Sequence, residues 1–560
     1  MRKQILCSPP KKSARRLLFM NVDVNFYGDF SIEKTPEIKK EISRERVNLL
    51  LGLPQKIMNI EKIPPIHTTE WFNSPADCKN LTDGKYATVA ECHDEAFFHF
   101  TAGCSRTIMY DLGAVCAVDG ARVGLLREDA TGVGVPPRIT VFASEDGDGW
   151  QKVGDLYELG SESSPAIIRK EVKFDKAYRA RYIRFAFNIS MHIWIDQLEL
   201  FGCTDTENAV AIVPESEEDP CFPNVYASTD ALGSKDVLLA YICHPNIKPI
   251  TKEVFLPHVA YIEDGKIKDT LFDGYLFLPY VAFLYDKYTK RPLTKESWQL
   301  YIDTQFAEGY NMDALDAAAE EVGNALGIKD YKLSVYFSIL YPVTAVKEFG
   351  IVDGKMLDFS KVEDRKAGLK WLIDEQYKRF NEKNYKHLDL KGYYWFTEEI
   401  NYSDGQLLEL LHFTTDYVRT LGLITTWIPY FHASGYNDWQ NLGFDVVCYQ
   451  PNYAFNQAVE DVRLFDAAKT AKLLGMCIEL EVGGTEKWHI ERIKKYYAAG
   501  AKTGYMKDAA HMYYQGGVPG VYYDAYVSDD PLLHSVYNDT YRFIKGQFKE
   551  DEIEFNLEDN

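Results

Sequence analysis

Between Trp71 and Cys203 apolar and polar positions alternate in short runs, RTIMYDLG, ARVGLLRE, PRITVFASEDG, WQKVGDLYEL, ARYIRFAFNIS and IWIDQLELFG, separated by Gly, Asp and Pro. A period of two marks strands with one face buried, and this density of turns predicts an all-β sandwich, a jelly roll over residues 66–203. After residue 236 the pattern changes. Apolar strand-like segments occur at 236–244, 274–280, 331–340, 390–400, 421–431, 443–453, 475–484 and 502–514. Between most of them lie runs with helical period, such as NMDALDAAAEEVGNALG, DRKAGLKWLIDEQYKRF and EKWHIERIKKYYAAG. Eight such units in succession predict a (β/α)8 TIM barrel over 236–550. The stretch after the first strand, VFLPHVAYIEDGKIKDTLF, reads as a hairpin turning at Gly265 in place of a helix. Residues 1–65 read as an N-terminal extension with a helix near Pro36–Leu53, residues 204–235 as an acidic, proline-rich linker, and 551–560 as an acidic tail. The fold class is therefore multidomain, a β-sandwich followed by a TIM barrel.

The chain has 560 residues, with 83 acidic against 62 basic side chains, a formal charge of −21. That charge repels phosphate backbones, and no run of Lys and Arg interleaved with aromatics offers a local exception, so no nucleic-acid partner is expected. The ten cysteines include no CxxC pair or His-Cys cluster at metal spacing. Cys78, Cys92, Cys104 and Cys116 read as free buried thiols, because a domain of this size needs no disulfide staple. No apolar run is long enough to cross a membrane, and the N-terminus lacks the apolar core of a secretory signal. The expected compartment is the cytoplasm, or the cell exterior if a leader has been lost.

In a (β/α)8 barrel the C-terminal strand ends build the site. Strand four ends in Trp395, Glu398 and Glu399, strand five in Trp427, Tyr430 and His432, strand six in Tyr449, Gln450 and Asn452, and strand seven in Glu479 and Glu481. His244 closes strand one, Tyr280 strand two, and Tyr505 lies near strand eight. Carboxylates on strands four and seven face each other across the mouth, where a sugar ring fits between an acid/base and a nucleophile. Flat sugar faces stack on Trp and Tyr, and hydroxyls are read by Asn, Gln and His. No catalytic cofactor is called for. Alternation puts Glu479 and Glu481 on one face, with Glu481 nearer the mouth and preferred as nucleophile. Glu398 and Glu399 must diverge, and Glu398 ranks first as acid/base by a narrow margin.

Two resemblances add to this reading. The segments LTDGK (81–85), IMYDLG (108–113), ITVFASED (139–146), YIRF (182–185) and QLELFG (197–202) resemble the discoidin or coagulation-factor type C module, a galactose-binding-like jelly roll. That resemblance implies a structural calcium ion held by Asp83, Thr88 and the position of Gln197, where the family carries Glu. The motifs GYYWFTEEI, TTWIPYFHASGYNDW, GFDVVCYQPNYAF and GMCIELEVGG resemble domain-of-unknown-function family 4855, which looks related to glycoside-hydrolase barrels. The expected function is hydrolysis of an oligo- or polysaccharide with retention of configuration. The alternatives are an inert glycan-binding or adhesion protein, or a sugar lyase or deacylase on the same barrel.

Overall fold

The computed structural model describes residues 34–58, 81–101, 105–128, 133–136, 138–157, 159, 164–188, 192–214, 223–243, 246–279, 294–402, 404–431 and 433–556. Eight strands form the first unit: β1 (Val47–Asn48), β2 (Lys56–Met58), β3 (Phe98–Thr101), β4 (Ser105–Arg127), β5 (Arg138–Ser144), β6 (Gln151–Tyr157), β7 (Ala166–Asn188) and β8 (His192–Cys203). The sheet runs β1-β8-β4-β7-β5-β6, with β2 added to β4 and β3 to β8, and every pairing is antiparallel. The long pair β4 and β7 shifts register between Asp111 and Cys116 and again between Val118 and Gly120. Bulges of this kind bend a strand and let one sheet curl over its own core, here Ile108, Val123, Ile139, Phe185 and Leu198 among others.

The helix expected at Pro36–Leu53 does not form. Residues 34–46 run without regular structure, Val47–Asn48 pair with β8, and Lys56–Met58 pair with β4. The charged run that resembled a helix face instead meets acids of the β unit: Arg44 reaches Asp205 at 2.6 Å and Glu207 at 2.7 Å, and Arg46 reaches Asp119 at 2.8 Å. These ion pairs are exposed and individually weak. The backbone ladder and the burial of Leu49 and Leu50 are the larger reason for the extended course.

The second unit is a closed parallel barrel of β9 (Asp236–Ile242), then, past a hairpin of β10 (Ala260–Glu263) and β11 (Lys266–Thr270), β12 (Gly274–Pro279) and β13 (Leu333–Ile339). A second small hairpin, β14 (Ile351–Val352) and β15 (Lys355–Met356), precedes β16 (Leu388–Trp395), β17 (Ile424–Trp427), β18 (Val446–Tyr449), β19 (Cys477–Glu481) and β20 (His511–Tyr514). β20 closes on β9 with His511 opposite Asp236. The connection after β9 contains both a helix, Lys252–Val259, and the hairpin turning at Gly265, so the expected hairpin is present but a helix precedes it. Among the described residues between β17 and β18 the helical piece is the 3-10 turn Tyr436–Asp438, and Trp439 beside it donates its indole N–H to the Leu474 carbonyl at 3.1 Å.

Alternation sorts the strand residues into two cores. Val237, Leu239, Leu276, Tyr336, Tyr394, Val446, Cys448, Cys477 and Met512 fill the barrel interior, whereas Phe277, Tyr393, Trp395, Trp427, Val447, Tyr449, Leu480 and Tyr513 pack outward against the helices. Leu232, on the short helix Thr229–Leu232, is fully buried in the interior cluster, and its carbonyl accepts from the Tyr336 hydroxyl at 2.7 Å. This plug fills the end of the barrel from which the strands start. No helix among the described residues is long and apolar enough to cross a membrane.

Candidate active site

Cys477, Glu479 and Glu481 alternate with Ile478 and Leu480, which belong to the outer core, so both acids of β19 point into the barrel. Both are buried, at 1% exposure each. Their surroundings differ. Glu481 accepts a short hydrogen bond from the Tyr496 hydroxyl and further bonds from the backbone N–H groups of Asn452 and Tyr453. Burial raises its pKa to about 7, and these three donors oppose the rise while Glu398 adds to it. Glu479, one layer deeper, has one carboxyl oxygen with no hydrogen-bond partner. Burial first, then the charges of Glu481 and Glu398, push its pKa well above the ordinary value, so within the pair the environment of Glu479 favours the neutral acid while the donors around Glu481 favour its charged form.

Glu398 stands in the loop after β16, following the same face as the interior residue Tyr394. The residue as a whole is exposed, yet burial of its carboxyl end raises the pKa, with a hydrogen bond from Gln450 opposing and Glu399 adding. Its charge is felt at Glu479, Glu481, Tyr241, Tyr394 and Tyr514, which places it toward the acids of β19. Glu399 turns to Tyr430, whose hydroxyl donates to it at 2.6 Å. Strict alternation would favour this division, and it survives the end of the strand at Trp395.

Several expected rim residues are elsewhere. Trp395, Trp427 and Tyr449 are buried between barrel and helices, where odd and even positions of their strands send them. Trp427 is 0% exposed, donates its indole N–H to the Thr397 carbonyl at 2.7 Å and stacks on Phe444. Tyr505 lies on a four-residue helix preceding β20, at the closed end, and donates to the Tyr496 carbonyl. Its segment resembled the start of strand eight, but the strand proper is His511–Tyr514. Asn452 contributes its backbone rather than its exposed side chain: a left-handed φ of 51° turns its N–H toward Glu481. Gln450 is buried beside Glu398 and also donates to the Ile428 carbonyl at 3.3 Å. His244, Tyr280 and His432 lie outside the described residues.

The mouth has aromatic residues that strand-end reading missed. Tyr241 and Tyr514 pack on the interior cluster from β9 and β20, edge to face with centroids 6.4 Å apart, and are hydrogen-bonded to each other. Phe396 caps Tyr394, and the half-exposed Phe455 meets Tyr514 edge-on at 5.6 Å. The available signal was parity: Tyr241 continues Val237 and Leu239, and Tyr514 continues Met512.

In the β unit, of the three residues expected around calcium, Asp83 and Gln197 meet directly and Thr88 turns to another carboxylate. Gln197, 1% exposed, donates its amide N–H to Asp83 Oδ1 at 2.9 Å and to the Lys85 carbonyl at 2.9 Å, and its amide oxygen accepts from the Gly84 N–H at 3.2 Å. Thr88 is exposed; its backbone N–H donates to Asp94 at 2.9 Å and its hydroxyl bonds the same carboxylate.

Residues 236–542, more than half of the chain, match the family described as Domain of unknown function (DUF4855). The chain belongs to that family. Its DUF4855 portion is thus the barrel, from the first residue of β9 to near the end of the closing helix Pro531–Ile544. No curated protein matches the chain. Among solved structures, the module CpGH89CBM32-6 produced by Clostridium perfringens is 16% identical, with 28% of this chain and 99% of that chain covered and a TM-score of 0.18. The C-terminal domain of a chitobiase from Bacteroides fragilis is 17% identical over 29% of this chain and 100% of that one, at a TM-score of 0.20. A Ruminococcus gnavus GH29 fucosidase variant, in complex with fucose, is 14% identical over 31% of this chain and 28% of that one, at 0.19.

Proposed function

We propose that this DUF4855 chain is a glycoside hydrolase that cleaves an oligo- or polysaccharide with retention, using Glu481 as nucleophile and Glu398 as acid/base. The observation that carries the reading is the asymmetry of the carboxylates at one barrel mouth. Glu481 is served by three hydrogen-bond donors, Glu479 beneath it has a carboxyl oxygen with no hydrogen-bond partner and a raised pKa, and Glu398 meets their field from the strand-four side. A nucleophile needs a charged carboxylate, and an acid/base needs a raised pKa with access to the leaving oxygen; the donor-rich Glu481 and the exposed Glu398 suit those two tasks. Tyr241, Tyr514, Phe396 and Phe455 supply faces for a sugar ring. In the reaction, Glu398 protonates the glycosidic oxygen while Glu481 attacks the anomeric carbon. Water, deprotonated by Glu398, then releases the sugar from Glu481.

One observation favours the second reading, an inert glycan-binding protein: Glu481 is almost fully buried, so a sugar reaches it only if the mouth opens. The two separate on a panel of aryl glycosides and oligosaccharides assayed with the natural chain and Glu481→Gln. The enzyme reading expects turnover that the variant lowers by roughly a hundredfold or more. Binding of the same sugars without turnover would establish the second reading.

A further inference from the structure

The galactose-binding-like module resembled by residues 66–203 implies a calcium ion, and the cradle that would hold it offers oxygen atoms from Asp83 and from the Lys85 backbone. Both oxygens converge on the side-chain nitrogen of Gln197. We propose that the Gln197 amide nitrogen takes the cation's place, so that this module is held together by a neutral side chain and binds no calcium there.

The hydrogen bonds fix which way the amide faces. With the nitrogen inward, these three contacts each pair a donor with an acceptor: two N–H groups go to Asp83 and Lys85, and the oxygen takes the Gly84 N–H. Turned by half a rotation, the amide oxygen would face a carboxylate and a carbonyl, and its nitrogen would face an N–H. Only a cation between the oxygens could support that arrangement. The ordered amide and the bound cation therefore exclude each other. The consequence is a module whose stability is independent of calcium supply.

The test is made on the full-length chain, stripped with chelator and then titrated with calcium chloride, reading heat by calorimetry and the unfolding midpoint of the β unit. For the natural chain the expected result is no saturable heat and no shift in midpoint. In Gln197→Glu a carboxylate faces Asp83, so the midpoint should fall without calcium and recover with it. Stoichiometric calcium binding that raises the natural chain's midpoint would overturn the proposal, and so would a folded Gln197→Glu chain indifferent to calcium. If that variant does not fold, the titration of the natural chain still decides.

Discussion

At the residue scale, the two acids of β19 show how far environment can separate identical side chains. Glu479 and Glu481 are two positions apart, on one face and equally buried, yet only Glu481 has three donors. Their raised pKa values have a consequence for stability that needs no substrate. In the unfolded chain each glutamate loses its proton near its ordinary pKa of about 4.3. The folded chain keeps those protons to higher pH, for Glu481 up to about 7 and for Glu479 well above the ordinary value. The contribution of these two groups to stability is therefore greatest at acid pH and falls as pH rises through this window, by about 1.4 kcal/mol per pH unit for each proton retained. Glu479→Gln, which imitates the neutral acid, should leave the unfolding midpoint at mildly acid pH nearly unchanged and flatten its decline toward alkaline pH. A denaturation series across pH checks this; a slope identical to that of the natural chain would contradict the protonated assignment. The pairing of acids on β19 was legible in the sequence because the period of a strand is two. The same parity, applied to Trp395, Trp427 and Tyr449, would have sent them outward. Their chemistry suggested a sugar platform, but aromatic side chains supply outer core as readily as pocket wall.

At the scale of elements, the two backbone donors to Glu481 belong to the loop after β18, and the helix Lys487–Thr503, which carries the third donor Tyr496, holds that loop. Arg492 donates to the carbonyls of Tyr453, Gln457 and Val459, and its guanidinium lies 3.9 Å from the centre of the Tyr453 ring. Asp461 accepts from the Tyr453 hydroxyl and from Lys495, and also from the Asn556 N–H near the C-terminus. Replacing Arg492 with Met keeps much of the buried stem and removes the donors, leaving three carbonyls short of a partner at about 1 to 3 kcal/mol for each one that stays buried. The expected outcome is a lower unfolding midpoint, faster hydrogen exchange in the 451–461 loop, and a higher Glu481 pKa because its two backbone donors lose their fixed direction. Unchanged exchange in the loop would contradict the clamp. None of this was visible in sequence, since a contact between an arginine and three backbone carbonyls has no residue-type signature. Strand order and most helices were legible, because period and length identify them. The 34–58 segment was not: its charges suit a helix face, and tertiary pairing with β4 and β8 decided otherwise.

At the scale of the molecule, an antiparallel β unit and a closed parallel barrel occupy successive parts of the chain, and the chemistry gathers at one end of the barrel. The bottom is plugged by Leu232, and the acids stand at the ends of β16 and β19. If retention is the mechanism, the Glu398 and Glu481 carboxyls should approach to about 5 to 5.5 Å around a substrate, compared with about 6.5 to 9.5 Å for inversion. The measurement that tests the central claim most directly is covalent trapping. A fluorinated glycoside of the sugar found by the substrate panel, chosen so that the glycosyl-enzyme forms faster than water releases it, is incubated with the chain and the labelled peptide is sequenced by mass spectrometry. The account predicts one sugar per chain, attached to Glu481 and absent from Glu481→Gln. A label on Glu398, or active enzyme that forms no adduct and releases product with inverted configuration, would contradict it.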